Sequence, residues 1–167
     1  GLIVLSGYLY IFEIRGGAEK NLAEERKKQA EWRSIQLFPY QPYEFKKITL
    51  FKEGTTIVYG KEDGVWWMKE PIAIKGSERA VDDIILSILN VVETDPAGDN
   101  PTDLAQFGLD APPLSISVVL EGEERPKTLL LGTDNPTSVT IYAKWEHKAR
   151  VFLVGSLIRG EMNKEFY

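Results

Sequence analysis

A chain of 167 residues, 43% hydrophobic and 27% charged, has the size and composition of one globular domain with an appendage. Its 25 Asp and Glu against 20 Lys and Arg give a formal charge of -5, which argues against a nucleic-acid partner, because phosphate binding draws on clustered basic side chains. The lack of cysteine excludes disulfides, thiolate metal sites and a cysteine nucleophile.

The chain opens on Leu2-Ile3-Val4-Leu5-Ser6-Gly7-Tyr8-Leu9-Tyr10-Ile11-Phe12, which meets charge at Glu13 and Arg15. As a helix, Leu2 to Ile14 rises roughly 20 Å at ~1.5 Å per residue, short of a hydrocarbon core of about 30 Å. The run therefore reads as the end of a membrane helix that starts upstream of Gly1, with Tyr8, Tyr10 and Phe12 at headgroup level. A secretory signal is the competing reading, but Ser6-Gly7 and Gly16-Gly17 lack the A-x-A cleavage pattern. A buried soluble helix or central strand is the bland alternative for a run this short.

Gly16-Gly17 is expected to interrupt the helix, after which Ala18 to Trp32 is rich in helix formers with few apolar positions, the composition of a solvated stalk. Glu24 and Lys28 form a favourable i,i+4 pair, with Glu25 also near Lys28. Leu37-Phe38-Pro39-Tyr40-Gln41-Pro42-Tyr43 stops any helix and opens the globular part. From Phe45 the period changes to two, predicting a meander of three strands with turns at Lys52-Glu53-Gly54 and Lys61-Glu62-Asp63-Gly64. Ser77 caps an amphipathic helix reaching Val92, whose Val81, Ile84, Ile85, Ile88, Leu89 and Val92 recur at helical spacing and should cover the sheet.

Glu93 to Asp103, with Pro96, Gly98 and Pro101, reads as a loop. Strands resume at Leu114 to Leu120, Thr128 to Leu131, Val139 to Trp145 and Arg150 to Val154, and a short helix begins near Ser156. The predicted fold class is α+β: a transmembrane helix over 1–15, a charged helical stalk over 16–36, and an α+β domain over 37–167. That domain holds antiparallel meander strands, in one sheet or in two sheet subunits over 37–93 and 103–167, with one main packing helix.

Asp103-Leu104-Ala105-Gln106-Phe107-Gly108-Leu109-Asp110-Ala111-Pro112-Pro113, ahead of an alternating strand, resembles the DLAxYGLDxP segment of the DUF4340 family. Leu37-Phe38-Pro39, Gly64-Val65-Trp66-Trp67-Met68, Glu70-Pro71, Leu131-Gly132-Thr133-Asp134-Asn135-Pro136, Ile141-Tyr142-Ala143 and Arg150-Val151-Phe152-Leu153-Val154 agree in order with that family's landmarks. The resemblance implies a bacterial, single-pass, inner-membrane protein with an extracytoplasmic, periplasmic α+β domain and no assigned activity. It also implies association with ABC-type or gliding-related machinery, and further sheet units beyond the equivalent of Phe166-Tyr167. Independently of the family, Gly108 permits a left-handed turn, Pro112-Pro113 fixes an extended exit, and Phe107 with Leu109 can plug a sheet edge, so the segment reads as a structural latch.

No residue stands out for catalysis. His147, between Glu146 and Lys148, falls in a hairpin turn without shelter or a supported partner. Glu93, Asp95, Asp99 and Asp103 are carboxylates suited to a hard cation, but two prolines separate them and their spacing does not follow a calcium loop. Gly132 to Ser138 lacks the Lys and following helix of a phosphate cradle. Trp66 and Trp67 must face opposite sides of a strand, one into the core and one available for contact, and Trp32 and Trp145 pose the same question.

The expectation is therefore a non-enzymatic, membrane-anchored accessory subunit with no catalytic, cofactor or metal residues. Its partners are the bilayer through Leu2–Ile14 and other subunits of a membrane complex. The alternative is a membrane-attached domain that binds a ligand or cation without catalysis.

Overall fold

The computed structural model describes residues 2–137 and 139–162, with side chains from residue 16 onward. The chain divides into two compact units, Gly1–Ile35 and Gln36–Tyr167.

The first unit is one helix, α1 (Leu2–Ile35), of 34 residues. The break expected at Gly16-Gly17 does not occur. A glycine in a helix costs about 1 kcal/mol relative to Ala, which lowers helix stability without forbidding the backbone, and the Glu-, Lys- and Ala-rich run that follows favours continuation. Beyond the glycines the helix is solvated as expected, with Lys28 3.3 Å from Glu24 and Lys27 4.0 Å from Glu31. The side chains of Leu2–Ile14, on which the membrane helix rests, lie outside the described residues. Among the described residues, no helix is long and apolar enough to cross a membrane.

The second unit is α+β. Its strands are β1 (Phe45–Lys52), β2 (Thr55–Glu62), β3 (Val65–Glu70), β4 (Ile74–Lys75), β5 (Glu93–Gly98), β6 (Leu114–Leu120), β7 (Lys127–Asp134), β8 (Thr140–Trp145) and β9 (Val151–Gly155). They form one antiparallel sheet in the order β4-β3-β2-β1-β6-β7-β8-β9-β5. The meander β1-β2-β3 turns at Glu53-Gly54 and Asp63-Gly64, where both central residues take positive φ. That is the two-residue turn whose twist matches paired strands, and Gly accepts it without a Cβ penalty.

One sheet rather than two follows from the seam between β1 and β6, paired from Phe45↔Leu120 to Lys52↔Leu114. Both strands bury alternate residues on the same face, Ile48 and Leu50 beside Ile116 and Val118, so that pairing the two segments makes one continuous apolar surface. The loop expected over Glu93 to Asp103 is also corrected, because Glu93–Gly98 pairs with β9 as the sheet's last strand. Its register shifts around Asp95 and Pro96. An edge strand tolerates the missing proline donor that a central strand would not.

Helix α2 (Glu78–Leu89) covers the apolar face with Val81, Ile84, Ile85 and Ile88, all buried in one cluster with Ile48, Leu50, Ile116, Leu129, Leu131 and Ile141. Burial of an aliphatic side chain of this size stabilises by about 1.5–3 kcal/mol. Ser77 caps the helix as expected, its Oγ accepting from the Ala80 amide at 3.4 Å. The helix stops before Val92, whose backbone instead bridges Gln36. A short helix, α3 (Leu157–Glu161), follows β9 and packs beside α2. The last five residues of the chain, including Phe166-Tyr167, lie outside the described residues.

Candidate functional site

An open groove of about 590 Å³ runs between the C-terminal half of α2 and α3, floored by the residues that lead into β5. Its apolar wall is made by Leu86 on α2 and Leu157 on α3, which remain 52% and 83% exposed, with Val91 and Ile158 buried beneath. Two carboxylates, Asp83 on α2 and Glu161 on α3, complete the two sides. Leu86 lies on the flank of α2 that does not face the sheet, one residue past the buried pair Ile84 and Ile85. Ser87, half-buried, donates its hydroxyl to the Asp83 carbonyl at 2.8 Å and approaches a Glu161 carboxylate oxygen at 3.4 Å. That proton is thus committed to the helix backbone, so Ser87 is placed as a polar contact and not as an activated nucleophile.

Sequence reasoning did not find this groove. Its signal was weak: two leucines off the core stripe, on elements separated by the whole second half of the sheet.

The residues singled out in the sequence sit elsewhere. The latch is real in its geometry. Gly108 adopts φ +65°, the Leu104 carbonyl accepts from the amides of Phe107 (3.1 Å) and Leu109 (3.0 Å), and Asp103 Oδ1 accepts from the Ala105 amide at 3.0 Å. Its location differs from the expected sheet edge, however. The Phe107 ring packs against Tyr142 of β8 in a tilted contact, centroids 4.9 Å apart and planes at 60°, and a Cβ on Gly132 of β7 would stand 2.0 Å from the Phe107 carbonyl oxygen. Because β7 and β8 are interior strands, the segment lies on a face of the sheet, and buried Leu109 packs there outside the cluster under α2. Gly132 leaves bare backbone at the point where the latch needs closest approach.

The four acidic residues do not converge. Glu93 receives two hydrogen bonds from Arg150, one from Nη1 at 2.8 Å and one from Nη2. That hydrogen bonding raises the Arg150 pKa against the opposing effect of burial, with the charges of Glu93 and Asp99 adding to it. Asp103 is engaged in the latch, and among the described residues no three His, Cys, Asp or Glu side chains gather into a metal-holding group. His147 is 84% exposed in the β8–β9 turn, 3.3 Å from Glu146.

The Gly132-to-Ser138 stretch is occupied structurally. Arg159 of α3 donates to the Gly132 carbonyl at 3.0 Å and pairs with Asp134 at 3.3 Å, while Asn135 Oδ1 accepts from the Thr137 amide at 3.1 Å and its hydroxyl at 2.9 Å. Ser138 lies outside the described residues. Trp66 and Trp67 divide as the strand period requires, 6% and 36% exposed, with Lys69 Nζ 5.8 Å from the Trp67 ring. Trp145 packs edge-on against Phe38 at 5.2 Å, and Trp32 remains exposed on α1.

Residues 66–166 match the family described as a domain of unknown function (DUF4340). No curated protein and no solved structure matches the chain. The matched span takes in the latch, α2, α3 and the groove between them.

Proposed function

The chain belongs to the DUF4340 family, and on that premise we propose that it is a non-enzymatic accessory subunit of a bacterial inner-membrane complex. In this reading one apolar segment, Leu2–Ile14, anchors it in the bilayer, and the α+β unit stands on the periplasmic side, making contacts with other subunits. The observation that carries the contact role is the pair of leucines held in the open beside the groove. Large apolar side chains that flank a cleft while a full core lies beneath are what a docking surface requires. The apolar opening of the sequence, bounded by aromatics and Arg15, supports the anchor.

Membrane fractionation tests the anchor and the role together. The full chain should stay with the membrane through high salt and alkaline carbonate, leave it only with detergent, and elute from mild detergent in an assembly larger than a monomer. A monomer released by salt alone overturns the proposal.

A second reading, a membrane-attached domain that binds a small ligand without catalysis, is favoured by the groove's volume, which falls in the range of small-molecule sites. A cation at Glu93, Asp95, Asp99 and Asp103 has less support, since Arg150 and the latch already engage two of these carboxylates. Calorimetric titration with calcium should give no heat above dilution.

A further inference from the structure

We propose that the outer edge of β4 receives an extended segment of a partner subunit, which adds a tenth strand to the sheet and sets a carboxylate beside Lys75. The proposal rests on the accessory-subunit reading and gives the chemistry of one of its contacts.

The sheet itself shows what such an edge takes. Its order runs β4-β3-β2-β1 on one side of the central seam and β6-β7-β8-β9 on the other, so an approximate two-fold axis through the antiparallel β1–β6 pair carries β4 onto β9. Each half is a four-strand meander that leads through Gly-Ser into a helix, Gly76-Ser77 into α2 and Gly155-Ser156 into α3. The halves differ at their margins. β9 is covered by the extended acidic strand β5, whereas β4 has no strand on its outer side among the described residues.

Side-chain burial follows the difference. On the face under α2 the row Val118, Ile48, Tyr59 and Met68 is buried and then runs out at Ile74, 43% exposed, with Ile72 exposed near it. The equivalent row at the other margin, Leu114, Leu131, Ala143 and Phe152, stays buried to its end, where Pro96 of β5 lies opposite Phe152. A strand added to β4 would place an apolar side chain against Ile74 in the same way, while its backbone paired with the groups along the edge. β4 itself pairs over two residues, but β5 holds to β9 across a register that shifts twice, so short and irregular pairing suffices at a margin.

Charge selects the occupant. Arg150 fastens β5 through Glu93. At the β4 edge the cation is Lys75, exposed, in no ion pair among the described residues, and in register with exposed Trp67. On β3, Lys69 is paired with Glu62, and Glu70 stands at the Pro71 end of the edge, so the attraction falls at the Lys75 end. Glu78 and Arg79, both exposed, open α2 with opposite charges. A second copy pairing through its own β4 would bring another Lys75 to the same edge, whereas a segment carrying Glu or Asp meets opposite charge there.

The test uses the full chain in nanodiscs of zwitterionic lipid and two labelled peptides of alternating Val and Thr that differ at one central residue, Glu or Lys. Fluorescence anisotropy, corrected for empty discs, should show the Glu peptide binding about fivefold more tightly or better, and Lys75→Glu should reverse the order. A Glu peptide N-methylated at alternate amides, which cannot pair along one edge, should bind the unaltered chain at least about tenfold more weakly. Ile74→Ser should weaken binding about fivefold, with circular dichroism unchanged from the parent chain. Equal binding of the two peptides, tighter binding of the Lys peptide, or indifference to N-methylation overturns the proposal. So does dimerisation of the chain alone that Ile74→Ser abolishes, which would make a second copy the occupant. Any of these results obtained while fractionation still returns a detergent-released assembly removes the role of the edge alone. Salt release of a monomer removes the accessory-subunit reading itself.

Discussion

Two glycines distant in sequence make the latch possible, and each should resist a side chain for its own reason. At Gly132 the obstacle is the Phe107 carbonyl, a backbone atom that cannot rotate away, 2.0 Å from where a Cβ would stand. Gly132→Ala should therefore displace the latch and lower stability by about 1–3 kcal/mol, the range of overpacked sites, read as a lower urea midpoint with unchanged slope. At Gly108 the obstacle is both the left-handed backbone, φ +65°, and the Thr133 methyl 2.6 Å from an added Cβ. Gly108→Val should lower the thermal midpoint, and an unchanged midpoint would refute the latch. Of these two residues only Gly108 was legible in the sequence, because its turn chemistry is local. Gly132 is set by what approaches it across space.

Helix α2 was the most legible element, since its stripe, cap and packing role follow from spacing alone. Ile85→Ala should remove about 2–5 kcal/mol, because Ile85 is fully buried and its loss leaves a cavity under the sheet face. Ser77→Ala should cost less, about 0.5–1 kcal/mol, as its capping bond to Ala80 is long at 3.4 Å. Chemical denaturation of the two variants orders these effects, and a larger loss at Ser77 would contradict the assignment of stability to burial. Strand β5 was the least legible element. Acidic residues and Pro96 read locally as a loop, yet β9 offers an open edge with four buried residues behind it, and pairing there satisfies backbone groups that would otherwise be left exposed.

At the scale of the whole domain, the sheet's order puts β1, β6 and β7 in the middle and leaves β4 and β5 at its margins. Hydrogen exchange should follow that order. Amides in β1 and β6 should exchange only through global unfolding, while those of the two-residue β4 and the irregular β5 should exchange through local opening at lower free energy. Equal protection at centre and margin would show that the sheet opens as one unit.

The sequence by itself determined the local matters: the hairpin turns at Glu53-Gly54 and Asp63-Gly64, the strands of alternating burial, the capped amphipathic helix, the division of Trp66 from Trp67 and the family segment around Gly108. Each is settled by the steric and hydrophobic preferences of neighbouring residues, which are written contiguously in the chain. Tertiary structure decided that two strand groups share one sheet through β1 and β6, that the latch lies on a face instead of an edge, that Glu93 is engaged by Arg150, and that Leu86 and Leu157 border a common groove. These depend on contacts between residues far apart in the chain. Sequence periodicity says which side of an element is apolar, but only the folded arrangement says what that side meets.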